Sequence, residues 1–357
     1  MTRHVVVVIR TWLGVAFVAA GLALPAAAQE KREPEGAPLP PYARMIKLHD
    51  LRSPVDRLVV LENGLPNVML TGYWPPTNEM MRHFSNNPEQ NQAGWVGENW
   101  EGRGYNVYAF FPEFPYGLGK GVGDFEVDYQ DTSADFWPLV TLLKPIAILS
   151  FGRADDDRDW ELEGGNYRYP TSLYINDYYS PFKPTPGLPF YYEPSYTFRA
   201  STLPLAEIIA AVQSSGANVV PYSTQYDDSK FLCSYMGYHS NWYHELHAAA
   251  GTPDWNVTSG FIHVGSAMSL ADAILALETT LRTVLTYMDG QRKLTGDLNC
   301  DGTVDVNDVD PFVLLMADPQ LWQRRHPRCL ALNGDINNDG VADFGDINPF
   351  IKLLTNP

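Results

Sequence analysis

Gly296-Asp297-Leu298-Asn299-Cys300-Asp301-Gly302 returns as Gly334-Asp335-Ile336-Asn337-Asn338-Asp339-Gly340, and each copy runs into a short apolar helical pattern, Val309 to Met316 and Ile347 to Leu354. A repeat of this kind sets the last part of the chain apart as a small unit of two like halves. In the first copy Asp297, Asn299 and Asp301 stand at positions 1, 3 and 5, Gly302 makes the turn at 6, Thr303 offers its carbonyl at 7, and Asp308 closes at 12. The second copy uses Asp335, Asn337, Asp339, Gly340, Val341 and Asp346 in the same places. Alternate oxygen donors around a tight glycine turn are what a hard cation requires, and two calcium ions are expected there.

Charge agrees with that division. The formal net charge is −17, and residues 294–357 hold ten Asp against three Arg and one Lys, so much of the acidity belongs with the cation loops. Such a balance argues against a nucleic-acid partner. At the other end, Arg3 and His4, the apolar run Trp12 to Leu24 and Pro25-Ala26-Ala27-Ala28 before Gln29 read as a signal peptide over residues 1–28. The apolar stretch after Arg10 is shorter than the ~20 residues a bilayer span needs, so an exported protein is expected rather than an integral membrane one. Export permits disulfides. Cys300 and Cys329 lie in the repeat region and can pair, which leaves Cys233 alone as either a buried small hydrophobe or a reactive thiol.

Between the ends, residues 29–41 are charged and proline-rich, a linker, and 42–291 form the main folded unit. Apolar, β-branched runs at 67–71, 105–111, 145–151, 217–222 and 258–264 predict strands. Leu203 to Val212, with Pro204 in its first turn and Gly216 beyond its end, predicts a helix, as does Ser266 to Met288. Strands alternating with helices predict an α/β domain with helices on both faces of a mostly parallel sheet. Tyr169 to Phe198, rich in Tyr and Pro, reads as an inserted surface or lid segment.

Cys233 follows one of these strands and opens a helix, where the helix dipole favours a thiolate. It needs a base. His263, in Gly260-Phe261-Ile262-His263-Val264-Gly265, ends a buried strand, the place where α/β sheets hold their sites, although a histidine after an apolar run is more often a satisfied core residue.

The repeat region resembles a type I dockerin: Asp in place of Glu at position 12, a single helix after each loop, and two copies in tandem. That resemblance implies two Ca2+ ions and docking to a cohesin-type or cell-surface partner. The central region resembles the pyroglutamyl peptidase I (pyrrolidone-carboxylate peptidase) family. An aromatic followed by Leu232-Cys233 and then Gly-Phe-Ile-His ending at His263 match its two signatures, and Thr71-Gly72-Tyr73-Trp74-Pro75-Pro76 stands where the family has Thr-Gly-Phe-x-Pro-Phe. Asn87-Pro88 and Leu203-Pro204 follow in the family's order. The family's catalytic Glu falls on Glu161, which keeps the spacing to Asn166, with Glu163 as the runner-up and Gly152-Arg153 upstream as in the family.

What this resemblance implies is a three-layer α/β/α sandwich, no catalytic metal, and a cysteine peptidase that removes an N-terminal pyroglutamyl residue from peptides. Cys233 would attack, His263 would shuttle protons, Glu161 would hold the imidazole, and the Cys233 N–H with Arg153 would face the oxyanion. Tyr73 and Trp74 would line the lactam pocket. The sequence departs from the family at Asp228-Ser229 in place of Ala-Gly, at Ser234 in place of Asn, at Gly265 in place of Pro, and at Pro76, where a pocket aromatic is lost. Trp74, Phe190, Tyr191 or Tyr192 could stand in. The alternatives are an amidase or peptidase of the same fold with another specificity, and an inactive binding protein displayed by its dockerin-like module.

Overall fold

Four of the five apolar runs become β-strands buried along their whole length, the fifth becomes a partly exposed edge strand, and the alternation of the buried side chains feeds two separate cores. The computed structural model describes residue 58 and residues 60–355, apart from 115–120, 156, 179, 186–192, 251 and 327–328. The expected signal peptide, the linker at 29–41 and Phe190, Tyr191 and Tyr192 lie outside the described residues.

In chain order the elements are β1 (Asn67–Thr71), α1 (Pro75–Met81), β2 (Asn106–Phe110), the short pair β3 (Pro112–Glu113) and β4 (Val122–Gly123), α2 (Tyr129–Leu143), β5 (Ala147–Arg153), β6 (Asp159–Glu163), the pair β7 (Gly165–Tyr167) and β8 (Phe198–Ala200), α3 (Leu205–Ser214), β9 (Val220–Thr224), α4 (Leu232–Leu246), β10 (Thr258–Val264), α5 (Leu270–Arg292), and α6 (Val309–Ala317), α7 (Pro319–Arg325) and α8 (Ile347–Thr355). Six strands form one sheet in the order β2-β1-β5-β10-β6-β9. Four of its five pairings are parallel, and β6 meets β10 antiparallel. The sheet is therefore mixed: β6 and β9 run against the other four strands.

Val68, Leu70, Leu149, Ile262 and Val264 turn to one face, where they meet α1, α3 and α5 through Met80, Ile208, Leu277 and Leu281. Met69, Tyr108, Ile148 and Phe261 turn to the other, against α2 and α4 through Phe136, Leu139 and Tyr235. Strands buried on both faces read as continuous apolar runs, which is why β1, β2, β5 and β10 were visible in the sequence. β6 was not among the expected strands. Its Asp159-Trp160-Glu161-Leu162-Glu163 alternates, sending Trp160 and Leu162 into the first core and the three acids to the opposite face.

Part of the segment at 169–198 is held down: Tyr174 is buried against Tyr129 and Tyr235, and Gln130 Nε2 donates to the Lys183 carbonyl at 2.8 Å. The C-terminal region has a core of its own, built on Leu298, Leu315, Trp322 and the stacked rings of Phe312 and Phe350, 4.5 Å apart. Its two loops repeat one hydrogen-bond pattern. Asp308 accepts from the N–H groups of Leu298, Asn299 and Asp305 at 2.7, 3.0 and 2.9 Å, and Asp346 accepts from Ile336, Asn337 and Asp343 at 2.7, 2.9 and 2.9 Å. Gly302 and Gly340 take φ of +88° and +95°, the left-handed turn that position 6 demands. Cys300 and Cys329 form a disulfide. Among the described residues no helix is long and apolar enough to cross a membrane.

Candidate active site

Cys233 is the second residue of α4. Two short contacts set up the turn before it: Ser229 N–H donates to Asp227 Oδ1 at 2.7 Å, and Lys230 N–H donates to Ser234 Oγ at 3.3 Å. Lys230 takes φ of +50° to bring the chain round. N–H groups of a first helical turn have no intrahelical acceptor, so the thiol sits beside free donors and the positive end of the helix dipole. Across the sheet it rests on a glycine. A Cβ on Gly152 of β5 would lie 2.8 Å from Sγ and 2.6 Å from the Phe261 ring, so this strand end must lack a side chain for the thiol, itself 2% exposed, to rest there.

His263 lies one strand over, paired in register with Gly152 on β5 and with Glu161 on β6. Its Nδ1 bonds Glu163 Oε1 at 2.7 Å. The second oxygen of Glu163 accepts from Thr224 Oγ1 on β9, so this buried carboxylate is fixed from two sides. His263 Nε2 is buried, with no hydrogen bond of ordinary geometry, and the thiol of Cys233 is the group that acts on the ring. Burial alone would lower the basicity of His263; the charge and hydrogen bonding of Cys233, the bond to Glu163 and the charge of Asp227 outweigh it and raise the imidazole well above its ordinary value.

The expected partner of the imidazole, Glu161, stands 3.8 Å from Nδ1, and the hydrogen bond belongs to Glu163. The reason is the strand. Residues two apart on β6 share a face, so spacing could not separate the two acids; Glu161 sits directly opposite His263 and half-exposed, while Glu163 reaches diagonally from a buried position. Burial first, and then the charge of Glu163, push the Glu161 carboxyl above its usual range.

Of the other expected residues, Tyr73 is buried near the thiol, its hydroxyl sharing a hydrogen bond with Thr132 at 3.0 Å, and Cys233 is among the charges it senses. Trp74 is committed to packing on Phe114 and Tyr178, with ring centroids 5.6 and 6.2 Å away. Arg153 ends β5, buried, one residue past the glycine under the thiol. Sequence reasoning missed Asp227, a buried acid whose charge reaches both His263 and Glu161. Its place six residues ahead of Cys233, inside a turn-forming Asp-Asp-Ser, was the available signal. His239, also in α4, is a structural histidine: its ring bonds the Tyr235 carbonyl and Ser133 Oγ, and burial pushes it down to about 4.

Taken together, a thiol at a helix start, an imidazole across a glycine, and a fixed carboxylate behind it form a set able to activate sulfur for attack on a carbonyl. No protein-family model matches the chain, and no curated protein matches it. Among solved structures the chain is similar to the pyrrolidone carboxyl peptidase of Thermococcus litoralis, with a TM-score of 0.46 and 17% identity over 64% of this chain and 97% of that one. A mutant pyrrolidone carboxyl peptidase from Pyrococcus furiosus gives 0.43 and 17%, over 62% and 99% of the two chains. The likeness concerns the course of the chain; the chemistry stands on the side chains described above.

Proposed function

We propose that the chain is an exported thiol hydrolase of the pyroglutamyl peptidase type, with Cys233, His263 and Glu163 as its triad. The observation that carries this reading is that Thr224 fixes Glu163 through Oε2 while Glu163 Oε1 bonds His263 Nδ1, which leaves Nε2 as the ring nitrogen for the thiol that acts on this imidazole. Glu163 keeps the ring in the tautomer with its proton on Nδ1 and stabilises the imidazolium that forms when Nε2 takes the thiol proton. Sulfur then attacks the acyl carbonyl, the amine leaves with a proton from His263, and water hydrolyses the thioester. The Cys233 N–H faces the oxyanion, and Arg153 is its candidate second donor. Tyr73 supplies one aromatic wall for a flat lactam. The same chemistry on another amide is the second reading, favoured by Trp74, whose ring packs into the protein and offers no second wall.

In the same proposal the C-terminal region is a dockerin-like tether. Asp297 is buried with Oδ1 accepting no hydrogen bond, an oxygen suited to a cation. Asp297, Asn299, Asp301, Asp308 and the Thr303 carbonyl would hold one Ca2+, and Asp335, Asn337, Asp339, Asp346 and the Val341 carbonyl the other. Bound calcium would fix the loops that carry α6 and α8. These helices and the turn before α8 expose Val313, Phe344 and Ile351, with Phe344 73% exposed, a face suited to a docking partner.

The test is hydrolysis of a fluorogenic pyroglutamyl amide by the reduced protein, with Cys233→Ala alongside. Turnover that vanishes in the variant is expected. No turnover, with Cys233 still alkylated rapidly at neutral pH, would move the reading to another amide; a thiol no more reactive than free cysteine would sink it.

A further inference from the structure

The face of the sheet that carries His263 holds more acid than a triad uses. Glu161 and Glu163 point the same way from β6, and one oxygen from each, together with His263 Nδ1, lie within 4.8 Å of one another. Asp227 adds a third carboxylate. It is 2% exposed, its Oδ2 accepts no hydrogen bond, and its charge acts on both Glu161 and His263. Three buried or half-buried carboxylates around one imidazole leave an excess of negative charge that a cation relieves. An imidazole nitrogen with carboxylate oxygens is a donor set that suits zinc better than calcium or magnesium.

We propose that Glu161, Glu163 and His263 Nδ1 form a binding site for a zinc-type divalent cation, and that its occupation switches off Cys233. The binding half stands on this geometry alone, whereas the switching half rests on the thiol-hydrolase reading above. Tetrahedral bonds of about 2.0–2.1 Å place ligand atoms roughly 3.4 Å apart. The Nδ1 distances to Glu163 and Glu161, 2.7 and 3.8 Å, fall on either side of that spacing, and the Glu161 side chain, 22% exposed, has room to close in.

The switch follows from the tautomer. A cation on Nδ1 takes the lone pair there, so the ring can carry a proton only on Nε2. Starting from imidazolium, the Nδ1 proton leaves to water and Nε2 keeps its own; starting from the neutral ring, the proton passes through solvent from Nδ1 to Nε2. In both cases Nε2 becomes a donor toward sulfur and can no longer accept the thiol proton. Glu163 exchanges its hydrogen bond to the ring for a bond to the metal.

Zinc alone is the probe, titrated calorimetrically into the full chain with its Cys300–Cys329 disulfide intact and calcium in excess. Wild type, Glu161→Gln and Cys233→Ala are compared, each checked for folding by circular dichroism. The expected result is one zinc per chain in wild type and Cys233→Ala, and affinity about ten-fold or more weaker in Glu161→Gln. Glu161→His, which returns a ligand atom to the same place, should restore it. Equal affinity in wild type and Glu161→Gln would remove Glu161 as a ligand, and loss of binding in Cys233→Ala would put zinc on the thiol; either result overturns the site. In the hydrolysis assay zinc should inhibit wild type, Glu161→Gln and Glu161→His, each relative to its own zinc-free rate, in step with its affinity; binding without inhibition would overturn the switch. Zinc binding by a protein that hydrolyses nothing would count against the hydrolase and leave the site standing.

Discussion

Two glutamates two residues apart face one imidazole. Glu163 is buried, bonded to His263 and anchored by Thr224, while Glu161 faces the same ring without a hydrogen bond to it. Replacing the acid that orients a catalytic histidine costs about 10²–10⁴ in kcat. Glu163→Ala should therefore lose that much in hydrolysis and slow thiol alkylation by up to about 30-fold at pH 7, the difference between a full thiolate and a free cysteine of pKa about 8.5, and Glu161→Ala far less in both. The reverse ranking, measured on the two single variants, would return the role to Glu161. This choice was hidden from the sequence because both acids satisfy the same period of two. Cys233 and His263 were legible because each combines an unusual residue with an unusual place, a helix start and the end of a buried strand. Gly152 carried no such mark: that the thiol needs an empty position opposite it emerges only when β5 and α4 are brought together.

At the scale of elements, the strands read most clearly were those buried on both faces, β1 and β10 above all, where the apolar run and the strand coincide. β6 escaped because three of its five residues are acids, and with it went the reversal that makes the sheet mixed. α2 escaped too; it carries Pro138 inside it and starts in a stretch crowded with Asp. One of these acids has a measurable consequence. Asp135 Oδ2 accepts from Phe125 N–H at 2.8 Å, and burial first, then the charges of Asp124, Asp131 and Glu126, raise its carboxyl from 3.8 to about 7. Between those values the folded protein keeps a proton that the unfolded chain has released, so stability falls as pH rises from about 4 to 7. Asp135→Asn, which keeps an acceptor and cannot ionise, should flatten that decline in a plot of melting temperature against pH. An unchanged slope would mean Asp135 is ionised in the folded protein throughout.

Taken whole, the C-terminal core is a third one beside the two cores of the sheet, and the chain enters it where Lys293 Nζ donates to Asn338 Oδ1 at 2.9 Å and Leu294 N–H to Asn333 Oδ1 at 3.1 Å. If the repeats hold calcium, removing it with a chelator should abolish one calorimetric transition and leave the other, with hydrolysis intact. Simultaneous loss of both transitions would mean that the contacts of Lys293 and Leu294 couple them. The reversed pair β6 and β9 carries a different consequence. His263 stands on the inner strand β10 and Cys233 on the helix α4 packed over it, but the acid bonded to the imidazole stands on β6 and is fixed by the edge strand β9, where Val220 is exposed. Edge strands open locally at lower cost than the centre of a sheet. A small amount of urea that frays β9 would release Thr224 and let Glu163 swing before either core melts, so enzymatic half-life in denaturant should report the looseness of one border strand rather than the stability of the protein.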